Sequence, residues 1–167
     1  MTDLSFRPQQ PWGDILLNWW RGLADDTGGR AALRRAAEPT AVVMSPAYQR
    51  LYRRLLAAGW PDEPWRRDRL AAAAGLLAHV REVDERSLPA AMSQREGDKP
   101  RVGPLRFRRL LESRDVDTLF TGLRRTLPLL QHRADPLALA SDVVAWGDGV
   151  RKRWAYGYDW PEQKTAA

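Results

Sequence analysis

Seven arginines lie between Arg101 and Arg125, and the residue type suits recognition of a polyanion. A guanidinium is planar, keeps its charge, and can hold a phosphate through two parallel N–H donors. Their spacing matters as much as their type. In RVGPLRFRRLLESRD, Phe107, Leu110 and Leu111 point one way on a helical wheel, while Arg106 and Arg109, one turn apart, point another. In VDTLFTGLRRTLPLL, Val116, Leu119, Phe120, Leu123 and Leu127 fall at i, i+3, i+4, i+7 and i+11, one stripe that can be buried. Arg125 lies opposite that stripe and Arg124 flanks it. A row of guanidiniums on a packed helical support suits a sugar-phosphate backbone. A solvated helix face in an arginine-rich protein looks the same, so the pattern alone leaves both readings open.

Few other residues offer chemistry. The two histidines, His79 and His132, are widely separated, and cysteine is absent, which excludes disulfides and thiolate metal sites. His79-x-x-Glu82 puts two candidate ligands on one helix face, yet a carboxylate-bridged metal pair needs further Glu ligands and a second Glu/His pair. Asp14, Asp25 and Asp26 could hold Mg²⁺ for a nuclease, but as a lone acidic cluster. Asp25/Asp26 and Asp115/Asp117 sit at helix boundaries, where capping and the helix dipole account for them. No phosphate-binding G-x-x-x-x-G-K-[ST] loop and no G-x-S-x-G elbow occurs. The chain reads as a binder rather than an enzyme, with no cofactor and no metal expected.

Composition supports an anionic partner. Of 27 basic residues 24 are arginine, against 21 acids, for a net charge of +6 and a pI near 10.3. A GC-rich genome explains much of the Arg:Lys ratio but not the positive balance. From Arg101 to Arg114 five arginines face one acid, Glu112, whereas charge from Trp60 to Glu85 is nearly balanced. With 44% hydrophobic and 29% charged residues the chain is neither disordered by composition nor a membrane protein. MTDLSFRPQQPWGD lacks a signal-peptide profile, so a soluble cytoplasmic protein is expected.

The elements that position these residues are expected to be helical almost throughout, an all-α fold of two small bundles joined by a loop. Ile15, Leu16, Trp19, Trp20 and Leu23 form one stripe, ending before a break at Thr27-Gly28-Gly29. A short helix follows to Ala37. Ser45-Pro46 opens a helix with Tyr48, Leu51, Tyr52, Leu55 and Leu56 on one side, closed by Gly59. Pro64 opens the longest helix, burying Leu70, Ala73, Ala74, Leu77 and Val80, with Gly75 as a point of close packing. Asp135-Pro136 starts a last helical region carrying Val143, Trp146, Val150 and Trp154, interrupted near Gly147 and Gly149. Periodicity is lost over 86–103. The expected division is therefore 1–85 and 104–160 as helical bundles, 86–103 as a linker loop and 161–167 as a disordered tail. Of eight tryptophans, Trp19, Trp20, Trp146 and Trp154 sit on or beside apolar stripes and read as core or subunit contacts, with base stacking as the sharper alternative.

Four stretches in succession carry a resemblance: LNWWRGLADDTGGRAALRRAAEP, PAYQRLYRRLLAAGW, RVGPLRFRRLLESRDVDTLFTGLRRTLPLL and DPLALASDVVAWGDGVRKRWAYGY. Their order is similar to that of the small-subunit (CasB) family of the type I-E CRISPR surveillance complex, Cascade. The resemblance implies a non-catalytic, all-helical subunit. Its partners would be guide RNA, target and non-target DNA, the guide-coating backbone subunits, the large subunit and a second copy of itself. Basic positions carried over from the family are Arg34 and Arg35 in the first stretch. The third stretch gives Arg101, Arg106, Arg109, Arg114, Arg124 and Arg125, with Arg108 set aside as facing the partly buried side of its helix. Arg151, Lys152 and Arg153 match the last stretch, or instead meet a neighbouring protein or helix-end carbonyls. Protein meeting guide-paired DNA contacts sugar-phosphate, because base pairing reads the sequence.

Other functions compete with that implication. A stand-alone helical DNA-binding regulator would use ESRDVD as the turn of a helix-turn-helix, although Asp115 and Asp117 would then face phosphate. A purely structural adaptor would set its arginines against acidic protein surfaces. An enzyme built on Asp25 or His79 comes third.

Overall fold

The computed structural model describes residues 4–163. Most of the tail expected to be disordered, residues 164–167, lies outside the described residues. The described chain is helical, as the sequence periods require. In order come α1 (Pro11–Gly22), α2 (Thr27–Arg35), α3 (Pro39–Val43), α4 (Pro46–Ala57), α5 (Pro64–Leu77) and α6 (Leu88–Ser93). A two-residue hairpin follows, β1 (Arg95–Glu96) with β2 (Lys99–Pro100). The order continues with α7 (Pro104–Leu111), α8 (Val116–Thr126), a 3-10 turn (Leu127–Leu130), α9 (Pro136–Val144) and α10 (Asp148–Gly157).

Local signals explain the boundaries. Proline occupies the first turn of α1, α3, α4, α5, α6, α7 and α9, where its missing N–H costs nothing. Asp26, Ser87, Asp115 and Asp135 cap α2, α6, α8 and α9 through side-chain oxygens. Gly59 follows α4 with φ of +91°, the left-handed turn that glycine tolerates.

Three local expectations change. Thr27-Gly28-Gly29 is the first turn of α2 rather than a break, because the Asp26 carboxylate accepts from the Gly29 N–H at 3.0 Å. Pro39 does not simply end a helix but opens α3. Residues 86–103, irregular in sequence, hold α6 and the hairpin, with Leu88, Ala91 and Met92 buried. Elements of five or six residues complete fewer than two turns, too few for a period to show.

The core is organised around α5. Leu70 through Val80 are all buried, so this segment is enclosed on every side, and its Ala-Ala-Ala-Ala-Gly run lets neighbours approach closely. It packs against α3, α8 and α9. A Cβ at Gly75 would lie 2.6 Å from Val42 Cγ2 and 3.0 Å from Phe120 Cε2, so a side chain here would push α3 and α8 away. The buried residues of 1–85 and 104–160 belong to one hydrophobic cluster. Polar ties close the far end of α5. Trp20 Nε1 donates to the Leu77 and Val80 carbonyls at 3.1 and 2.9 Å, and Arg30 Nε donates to the Ala78 carbonyl at 3.2 Å. Phe107 stacks on Tyr158 at 4.1 Å, and the Tyr158 hydroxyl donates to the Val102 carbonyl.

Candidate nucleic-acid interface

Helix α7 buries Phe107 and Leu110, and α8 buries Leu119, Phe120, Leu123 and Thr126. These faces set the two helices side by side and turn Arg106, Arg109 and Arg125 outward. Gly122 makes the approach possible, since a Cβ there would stand 2.7 Å from Leu110 Cδ2. Between the helices runs a groove of about 580 Å³, its walls including Arg106, Arg109, Arg125, Ser113, Thr118 and Thr121. No carboxylate lines it. The three arginines are exposed, and none has an ion pair or side-chain hydrogen bond among the described residues. Asp115, which opens α8, is occupied as a cap: its carboxylate accepts from the Thr118 N–H at 2.7 Å, and that bond holds its pKa below the ordinary carboxylate value. The groove thus presents positive charge with its donors unspent and hydroxyls beside them, which suits phosphate oxygens.

The remaining sequence-derived residues divide. Arg114 is exposed in the turn after α7, at the Ser113 end of the groove, and Arg35 and Lys152 are exposed elsewhere. Arg124 is turned inward: its Nη2 donates to the Arg34 carbonyl at 3.0 Å, tying α8 to the end of α2. Arg34 is half-buried beside it. Arg101 pairs with Glu96 at 3.1 Å and borders a separate depression of about 650 Å³ with Asp84, Glu85, Arg86 and Arg133, a mixed-charge setting. Arg151 donates through Nε to the Leu111 carbonyl and pairs with Asp148 at 3.1 Å. Arg153 pairs with the buried Asp142 at 2.7 Å, and Asp142 also accepts from Trp154 Nε1 at 2.8 Å. Arg108, expected on the partly buried side, is exposed instead, because α7 buries only Phe107 and Leu110.

Trp19, Trp146 and Trp154 are buried and Trp20 is half-buried, as core reading requires. Their indole N–H groups reach the Ala47 carbonyl, the Ser113 carbonyl, Asp142 and the end of α5. One exposed tryptophan, Trp65 at the start of α5, did not stand out in sequence because it lies on no apolar stripe.

The acidic and histidine candidates do not assemble. Asp26 caps α2 and meets Arg50 at 3.4 Å, Asp14 accepts from the Gln9 N–H, and Glu82 meets Arg133 at 3.6 Å. Among the described residues no three His, Cys, Asp or Glu side chains gather to hold a metal ion, and no helix is long and apolar enough to cross a membrane.

Comparison with known proteins sets this geometry in a family context. The family model of the CRISPR-associated protein Cse2 matches residues 29–158. CasB from Thermus thermophilus superposes with a TM-score of 0.66 at 24% identity, over 90% of this chain and 98% of that one. A chain of E. coli Cascade bound to a PAM-containing double-stranded DNA target superposes with a TM-score of 0.63 at 22% identity, over 86% of this chain and 93% of that one. At these identities the two structures establish the shared fold. No curated protein matches the chain.

Proposed function

The chain belongs to the CRISPR-associated Cse2 family, and from that premise we propose that it is a non-catalytic subunit of a type I-E Cascade particle that steadies the opened DNA. Its partners on this reading are the guide RNA, the target and displaced non-target strands, the guide-coating backbone subunits, the large subunit and a second copy of itself. The observation that carries the proposal is the α7–α8 groove, where Arg106, Arg109 and Arg125 surround a channel free of carboxylates. Guanidiniums that spend no donors within the protein remain available to phosphate oxygens, and phosphate contact is indifferent to base sequence. That indifference suits a particle in which guide pairing carries the sequence information. Arg114 would extend the path at the Ser113 end of the groove. Arg35 and Lys152 are exposed positions for further backbone contact.

The test is a charge reversal, Arg106→Glu, Arg109→Glu and Arg125→Glu together. These residues lie off the buried stripes, so the helical circular dichroism and thermal midpoint should stay close to those of the unaltered chain. Binding of unpaired DNA should fall, and the slope of log affinity against log salt should flatten by about 0.7 per lost phosphate contact. In the assembled particle, omission of the chain should weaken target-DNA binding while guide RNA is retained. Unchanged affinity and slope in the folded triple variant would overturn the groove reading. A chain that enters no RNA-containing particle and footprints one duplex sequence would support the regulator instead.

A further inference from the structure

Tryptophans in this protein are anchored with one exception. Trp19, Trp60, Trp146 and Trp154 are buried; Trp12 and Trp20 are half-buried and donate Nε1 to backbone carbonyls. Trp160 leans edge-on against Phe107 and Tyr158 and donates to the Ala155 carbonyl. Trp65 is 56% exposed, and its Nε1 reaches only Glu63, two residues earlier. The charges beside its ring are the Arg66 and Arg69 guanidiniums, 4.7 and 5.6 Å from the centroid, and the Glu63 carboxylate, which also meets Arg66 at 3.5 Å.

The turn of α5 beneath Trp65 is tied to the wall of the arginine groove through Arg69. Arg69 Nη1 donates to the Val144 and Trp146 carbonyls at 3.0 and 2.7 Å, where a cation also complements the C-terminal end of α9. Trp146 Nε1 in turn donates to the Ser113 carbonyl at 2.8 Å, and Ser113 lines the groove. Three hydrogen bonds therefore link the support of Trp65 to the wall between α7 and α8, with Arg114 exposed at that wall.

Resting on the reading of the groove as a phosphate channel, we propose that Trp65 is a stacking platform for an unpaired nucleobase of the strand whose backbone lies in the groove. As a protein anchor an exposed tryptophan inserts into a pocket of its partner; the Arg66 and Arg69 guanidiniums beside this ring favour an anionic strand instead. A nucleobase needs one flat π-face with positive charge nearby; Trp65 leaves more than half its surface open, with Arg66 and Arg69 over the ring and Glu63 at its edge. Stacking of this kind requires a base face free of its helix neighbours, so the occupant is single-stranded rather than duplex. It remains indifferent to sequence, since every base has a π-face.

The experiment compares oligothymidylate with an abasic strand of the same length, both bound by the full chain. Wild type should prefer oligothymidylate. Trp65→Ala should weaken that strand by about five-fold or more, leave the abasic strand unchanged, and thereby abolish the preference. Trp65→Phe should restore most of the loss, and thermal midpoints should agree, since the ring is not core. If Trp65→Ala binds both strands as wild type does, or weakens both equally, the platform is overturned. If wild type binds both strands alike and the groove charge reversal removes that binding, the groove reading survives and the platform falls. If wild type binds neither strand, both fall together.

Discussion

The groove between α7 and α8 and the seam between α2, α8 and the end of α5 are both rich in arginine, yet they use it in opposite ways. In the groove, Arg106, Arg109 and Arg125 stand exposed with no partner among the described residues. In the seam, Arg124 donates to the Arg34 carbonyl and Arg30 to the Ala78 carbonyl, each closing a helix end. Burial and neighbouring cations, Arg81 first among them, pull the Arg30 pKa down. A guanidinium that spends its donors on buried carbonyls is part of the scaffold; one with all its donors free is available to a ligand. Residue type does not separate these cases, but the acceptors around each side chain do.

Three consecutive residues of α8 allow that distinction to be tested at nearly constant position. The largest effect belongs to Leu123, fully buried beneath both regions. Leu123→Ala should cost about 2–5 kcal/mol in chemical denaturation, through lost transfer energy and the cavity left behind. A cost below 1 kcal/mol would mean that the stripe shared by groove and seam is not packed as the structure has it.

The next residue, Arg124, should behave unlike its neighbour Arg125. Arg124→Met removes a partly buried hydrogen bond to Arg34 and leaves that carbonyl without its donor, a loss of about 1–3 kcal/mol. Binding of unpaired DNA, measured on folded protein, should hardly change. Arg125→Met should do the reverse, leaving stability within about 0.5 kcal/mol while lowering affinity and the salt slope. If the two substitutions produced the same pair of changes, groove and seam would be one surface, and the comparison would fail.

These contrasts also mark what sequence could reveal. The stripe from Val116 to Leu127 and the pair Phe107/Leu110 were legible because a helical period survives over several turns, and they place Arg106, Arg109 and Arg125 correctly on the outside. The role of Arg124 was not legible, and for Arg151 a helix-end carbonyl was only one of the alternatives, with no acceptor named. Their acceptors, the carbonyls of Arg34 and Leu111, lie 90 and 40 residues away and are brought near only by tertiary packing. The family resemblance carried both arginines over as binding positions; each donates to a backbone carbonyl in the structure. α3 and α6 escaped because they are too short to show a period, and Trp65 because it belongs to no stripe.

A pH-dependent effect comes from His79, which lies in the seam at the end of α5. It is buried, its Nε2 has no partner among the described residues, and its carbonyl meets His132 Nδ1 at 2.9 Å. Desolvation, then the charges of Arg124 and Arg34, lower its pKa from 6.5 to about 4. Because the folded-state value is the depressed one, the unfolded chain takes up the proton first as pH falls. The contribution of neutral His79 is therefore complete above about pH 6.5 and is lost progressively down to about pH 4. Stability compared at pH 7 and pH 5 should fall for the wild type and fall less for His79→Gln, which cannot titrate. Arg124→Met should also shrink the fall, since it removes the largest of the repelling charges, whereas Arg125→Met should leave it alone. An equal effect from both substitutions would show that His79 senses the basic surface as a whole rather than the seam in which it is buried.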